Sequence, residues 1–155
     1  MRTEFHVSAG GVVYRRDDEG RIWIAVIRVR DRLALPKGLV EKGEKTLETA
    51  VREVQEETGL KVAPRAFLDK IDYWYYWREN GEKVRHHKVV YFYLMEYKGG
   101  DPSQHDEEVD EVLWLPIDEA LEKLSYKSER QVVQKAREWL LRGRETREPP
   151  APEPG

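Results

Sequence analysis

Apolar and polar positions along the chain fall into two rhythms. "HVSAGGVVYRR" (His6–Arg16) and "RIWIAVIRVR" (Arg21–Arg30) are rich in β-branched residues and separated by the turn "DDEG", so they predict two strands paired as a hairpin. The Gly10–Gly11 pair inside the first strand predicts a bulge or a close backbone approach. "LALPKG" (Leu33–Gly38) reads as a short extended piece ended by Pro36. Two aromatic, β-branched runs follow later, Phe67–Trp77 and Lys83–Tyr97. Between them Asn80–Gly81 is a strong hairpin signal. An acidic loop, Gly99–Glu108, leads into a further strand, Val109–Leu115.

The second rhythm is helical. From Lys45 to Thr58, Leu47, Ala50, Val51 and Val54 recur at helical spacing, and Gly59 is placed to stop the helix. Pro116–Leu124 opens with a proline suited to a first helical turn. Ser128–Leu141 carries Val132, Val133, Ala136, Trp139 and Leu140 on one stripe. Residues 142–155 lack apolar periodicity and are proline-rich, which predicts a disordered tail behind one domain over residues 1–141. Strands and helices mix without a steady βα alternation, so the class is α+β or a mixed-sheet sandwich.

Composition narrows the chemistry. At 155 residues with 39% apolar content, the chain suits one core. It has no membrane-length apolar run and no signal-peptide pattern at its start, so a soluble cytoplasmic protein is expected. Without cysteine, any metal must use oxygen or histidine ligands. A net charge of −3 argues against broad electrostatic capture of nucleic acid, so no stable nucleic-acid complex is expected; oligomeric state is left open. Charged residues make up 37% of the chain and Asn80 is its only asparagine, which fits a thermophile source or simply a charge-rich bacterial protein.

The chemical signal is concentrated in "REVQEETG". Glu53, Glu56 and Glu57 share one helical stripe at i, i+3, i+4 spacing, beside the apolar stripe rather than opposite it. Like charges so placed repel, and partial burial raises the cost. Either Arg52 and Lys45 neutralise a solvated acidic face, or a hard cation such as Mg²⁺ sits among the oxygens and shares its shell with substrate phosphates.

The longer stretch Gly38–Leu60 resembles the Nudix box: glycine, five residues, glutamate, seven residues, Arg-Glu, an aliphatic, any residue, Glu-Glu, any residue, glycine, an aliphatic. Gly38, Glu44, Arg52, Glu53, Val54, Glu56, Glu57, Gly59 and Leu60 fill every specified position. The similarity extends over roughly residues 5–141. It implies an α/β/α sandwich with a mixed β-sheet and a loop–helix–loop metal site. It further implies hydrolysis of a nucleoside diphosphate linked to another group. In that family Glu53, Glu56 and Glu57 would hold Mg²⁺ (or Mn²⁺) with help from the Gly38 carbonyl. Arg52 would orient the glutamates, and Glu44 would support the site. The general base would be Glu53, or a glutamate on a distant loop that also reaches the metal. Glu108, six residues before Trp114, has that placement, and a solvated acidic loop is the plain alternative.

For the substrate, "LPKG" puts Lys37 directly before the box glycine, as in diadenosine polyphosphate and diphosphoinositol polyphosphate hydrolases. The alternative is an ordinary turn lysine. Tyr76, sixteen residues after Leu60, resembles a tyrosine that marks diadenosine polyphosphate hydrolases. Arg28 could extend a basic rim, Lys88 could touch phosphate, and Tyr126 could stack on adenine; each also has a plain structural reading. His86 and His87 read as surface residues. The resemblance therefore implies a Mg²⁺-dependent hydrolase acting on a small nucleotide, diadenosine tetra- to hexaphosphate, with ATP among the products. Rivals are damaged nucleoside triphosphates, RNA 5′ ends, ADP-ribose and diphosphoinositol polyphosphates. A non-catalytic binding module is disfavoured because such modules carry broken boxes.

Overall fold

The computed structural model describes residues 1–142. Strands β1 (Thr3–Arg16) and β2 (Ile22–Val29) form the expected antiparallel hairpin, with Val13 opposite Ala25 and Arg16 opposite Ile22. Two three-residue strands follow, β3 (Arg32–Ala34) and β4 (Lys37–Leu39), on either side of Pro36. After helix α1 (Thr46–Thr58) come the long strands β5 (Leu60–Glu79) and β6 (Glu82–Gly100), then β7 (Glu111–Pro116), α2 (Ile117–Lys123) and α3 (Lys127–Arg142). The sheet runs β3-β2-β1-β6-β5, with β4 added to β1 and β7 to β2. The β1–β6 pairing is parallel and all others are antiparallel, so the sheet is mixed as expected.

Alternation along the central strands sends side chains to both faces, which is why two cores form. Val12, Ile24, Phe92 and Leu94 pack under α2 and α3 with Ile117, Val132, Val133, Ala136 and Leu140. Ala9, Val13, Ala25, Tyr93 and Met95 pack under α1 with Ala50 and Val54. Helices thus cover both faces, giving an α/β/α sandwich. No described helix is long and apolar enough to cross a membrane.

The structure corrects the sequence reading in element boundaries and in burial. Strand β5 begins at Leu60 rather than Phe67, because register shifts around Pro64 absorb the residue that cannot donate to a ladder. Being the last strand in the sheet order, β5 tolerates it. Helix α3 includes Arg142, and the rest of the expected tail lies outside the described residues. Finally, His86 is only 4% exposed and His87 is half-buried, so neither is the surface residue expected from sequence.

Candidate active site

Three segments meet at the box. A side chain at Gly10 would overlap the Pro36 carbonyl, so its absence lets the Pro36–Lys37 backbone lie on β1. Gly11 then donates to that carbonyl at 3.2 Å, and β4 pairs with Ser8–Gly10. This is the close approach that the glycine pair predicted. Gly38 is held against Glu53 so closely that a methyl group there would overlap the carboxylate. The glycine is therefore needed at that point for Glu53 to stand on the inner side of α1.

Arg52 organises the carboxylates. Its Nε and Nη2 donate to the two Glu44 oxygens at 2.7 and 3.0 Å. Nη1 donates to Glu53 at 3.0 Å and Glu56 at 3.2 Å, and Nη2 also donates to the Leu39 carbonyl at 3.1 Å. Glu44 additionally accepts from the Thr49 hydroxyl at 2.6 Å. The Arg52 and Thr49 hydrogen bonds hold the Glu44 carboxyl down at about 2. Glu44 is a fixed anion whose bidentate grip fixes the guanidinium plane.

Glu57 stands apart from this network. It accepts the Lys37 backbone N–H at 2.9 Å. Burial pushes its carboxyl up to about 7, opposed by the Lys37 N–H and ammonium and reinforced by Glu53 and Asp106. Burial also raises Glu53, with Arg52 pulling the other way. Three carboxylates, Glu44, Glu53 and Glu56, thus share one guanidinium, with Glu57 beside them on the Lys37 amide. Glu53 and Glu57 are raised and resist ionising without a further cation. An all-oxygen donor set of this kind fits a hard divalent ion. Glu53, Glu56 and Glu57, with the Gly38 carbonyl, are the groups that would hold it. As they stand they are shared between Arg52 and the Lys37 amide rather than turned on one point.

Beside the carboxylates lies a second polar cluster. Lys37 Nζ donates to Glu129 Oε2 at 2.9 Å, and Leu35 N–H donates to Oε1 of the same fully buried carboxylate at 2.9 Å. Burial disfavours the Lys37 ammonium, but the charge and hydrogen bond of Glu129 more than offset it, and its pKa is raised. Burial, with the charge of Lys37, lowers that of Lys88. Tyr126 is 40% exposed, and both Lys37 and Arg32 lie over its ring at 5.9 Å. Ser125 ties this corner together: its N–H donates to the Leu33 carbonyl and its hydroxyl accepts from Leu33 N–H, both at 2.9 Å.

Lys37, Lys88 and Tyr126 are therefore brought together, and the sequence reading missed Glu129, which joins them. Its signal was an acid one turn before Val132 and Val133 on the apolar stripe of α3. Arg28 is not part of this cluster: it pairs with Glu111 at 3.2 Å and Asp110 at 3.7 Å on the β2–β7 edge. Tyr76 is not part of it either. Gly38 pairs with Ala9, Ala9 with Tyr91, and Tyr76 with Arg85. That is six positions along β6, or roughly 20 Å at the rise of a strand. Tyr76 sits at the hairpin tip under Lys83 instead. Glu108 is exposed in a turn. The loop is docked on α1 through Asp106 N–H, which donates to the Glu56 carbonyl at 3.0 Å. Asp106 is the loop carboxylate whose charge bears on Glu53 and Glu57.

The NUDIX domain profile matches residues 4–136. The chain is 43% identical over 147 residues to a Mycobacterium tuberculosis protein described as "Putative mutator protein MutT4"; the match covers 90% of this chain and 58% of that one. It is 33% identical over 107 residues to the rat asymmetrical bis(5′-nucleosyl)-tetraphosphatase, covering 68% and 69% of the two chains. In three dimensions it is similar to a Caenorhabditis elegans Ap4A hydrolase binary complex, with a TM-score of 0.70, 21% identity and coverage of 88% and 98%. With the box filled at every position, set in an α/β/α sandwich and matched over most of its length, the chain belongs to the Nudix family of hydrolases.

Proposed function

We propose that this chain is a Mg²⁺-dependent hydrolase of dinucleoside polyphosphates, taking diadenosine tetra- to hexaphosphate and releasing ATP among the products. The observation that carries the reading is the pairing of two clusters through one residue. The Lys37 amide binds the Glu57 carboxylate, while its side chain reaches Glu129 and lies under the exposed Tyr126 ring. An anionic chain laid from the box carboxylates toward Tyr126 meets Lys37 and Lys88 on the way, and the ring offers a face for adenine.

Mg²⁺ held by Glu53, Glu56 and Glu57 would supply charge neutralisation at phosphate oxygens and acidify water. In the reaction a water oxygen bonds to phosphorus, the bridging P–O bond breaks, and the water proton passes to a carboxylate. Glu53, already raised by burial, is suited to accept it. Glu108 is the second candidate for base and metal support. Its exposed turn, two residues beyond Asp106, would have to close over α1 to reach. Arg52 keeps Glu53 and Glu56 in place through the Glu44 anchor. We assign the protein to the cytoplasm, and its composition to a thermophilic source.

A second reading, hydrolysis of damaged nucleoside triphosphates, is favoured by the 43% identity to the mycobacterial mutator protein. Specificity constants separate the two. We expect kcat/KM for diadenosine penta- or hexaphosphate to exceed those for oxidised guanosine triphosphate and ADP-ribose. Faster turnover of oxidised guanosine triphosphate would replace the first reading with the second.

A further inference from the structure

We propose that Glu4, His6 and His86 form a second metal site, for a first-row transition ion of the Zn²⁺ class, separate from the box carboxylates. Among the described residues, these are the three acidic or histidine side chains whose ligand atoms all lie within 4.8 Å of one another. The register explains the meeting: on the parallel β1–β6 ladder, Glu4 lies opposite His86 and His6 opposite Lys88. Alternation puts all four on the face that α3 covers further along the sheet.

Donor geometry fits a tetrahedral ion. His6 Nε2 lies 2.9 Å from His86 Nδ1 and 4.0 Å from Glu4 Oε2. With metal–nitrogen bonds of about 2.0–2.1 Å, two tetrahedral ligand atoms stand roughly 3.3–3.4 Å apart. The imidazole pair therefore opens by a few tenths of an ångström, and Glu4 closes by a little more. In the metal-free state the short contact between the two ring nitrogens needs one proton between them. An ion takes that proton's place.

The surroundings are those of a ligand set rather than of a chance pair. His86 is 4% exposed, and its remaining nitrogen, Nε2, is buried without a hydrogen bond. It faces Glu79 Oε1 at 3.4 Å. A carboxylate behind the outer nitrogen is the arrangement that turns the inner nitrogen's lone pair toward a metal. Arg2 fixes both carboxylates, reaching Glu79 Oε2 at 2.7 Å and Glu4 Oε1 at 3.2 Å. This leaves Glu4 Oε2 toward His6. Tyr75 stacks on the His86 ring at 4.8 Å and 5°. Glu4 and His6 are half-buried, so the fourth position opens to water or an anionic ligand. Two imidazoles and one carboxylate favour Zn²⁺, Co²⁺ or Ni²⁺ over Mg²⁺, whereas the oxygen-only box favours the reverse. The site does not depend on which nucleotide the enzyme cleaves.

The test is Co²⁺ and Zn²⁺ binding by the full chain, read by the visible absorption of tetrahedral Co²⁺ and by competition with a chromophoric chelator. A variant with Glu53, Glu56 and Glu57 all changed to Gln removes the box as a competing site. We expect one equivalent of Co²⁺ to give the band in wild type and in that variant. His6→Ala should abolish the band and weaken Zn²⁺ binding at least a hundredfold. Glu79→Gln, which touches no metal, should weaken it roughly 10- to 100-fold. His6 and Glu4 are partly exposed, so His6→Ala and Glu4→Gln serve where a change at buried His86 disrupts folding; circular dichroism checks the fold. The proposal is overturned by the absence of a band in wild type, by Zn²⁺ affinity unchanged in His6→Ala, or by a band lost only in the box variant.

Discussion

Replacing Glu129 by Gln tests the buried charge at the centre of the polar cluster beside the box. The carboxylate is fully buried and its partner Lys37 keeps 22% of its side chain exposed. Opposite charges 2.9 Å apart attract by roughly 6 kcal/mol at an effective dielectric of 20. Glutamine keeps the acceptor for the Leu35 N–H but no longer offsets the desolvation of Lys37. Removing one partner of a buried pair costs about 3–5 kcal/mol, and the partial exposure of Lys37 puts this one near the lower end, at about 3 kcal/mol. For a chain of this size that corresponds to a fall in Tm of roughly 6–12 °C. Urea unfolding of wild type, Glu129→Gln, Lys37→Met and the double variant forms the cycle. The coupling between the two sites should be about 2–3 kcal/mol at unchanged m value. A loss below about 1 kcal/mol in Glu129→Gln, or additive single effects, would refute a coupled buried pair.

Gly38→Ala places a methyl group into the Glu53 carboxylate. It should cut kcat at least tenfold while the circular dichroism spectrum stays native. In metal-free protein, Glu57 titrates at about 7 in the fold against an ordinary 4.5 in the unfolded chain. The native state then binds the proton more tightly, so its contribution is full below pH 4.5 and is lost as pH rises to about 7, by about 3 kcal/mol in all. Denaturation across that range should show the slope in wild type and not in Glu57→Gln. Tyr126→Ala should raise KM for diadenosine polyphosphates several-fold with little change in kcat, since the ring would contact the nucleoside and not the attacked phosphorus; an unchanged KM would remove Tyr126 from the binding site.

Local signals were legible where neighbours in sequence are neighbours in space. Helix α1 and its stop at Gly59 follow from spacing within one element, and the hairpin follows from Asn80–Gly81, both with positive φ. The box residues converge for the same reason, since Gly38 to Leu60 is one loop, one helix and the next strand. What was hidden depends on long-range pairing. Glu129 meets Lys37 across 92 positions. His86 is buried by His6 and Tyr75 through strand register, which no local pattern reveals. Tyr76 misled for the converse reason: a count of residues from the box does not show that an extended strand carries it out to a hairpin tip.

We propose that the box carboxylates are the hydrolytic centre, held together against their mutual repulsion for the sake of a divalent cation. The most direct measurement is kcat with Mg²⁺ alongside metal-free stability, for wild type and for Glu53→Gln, Glu56→Gln and Glu57→Gln. Turnover should fall at least about a hundredfold in each variant, beyond the 10- to 100-fold typical of an outer supporting residue. Metal-free stability of Glu57→Gln at neutral pH should equal or exceed that of wild type, because its buried charge is gone. Near-wild-type turnover in all three variants would refute this role for the box, as would activity that survives complete removal of divalent cations.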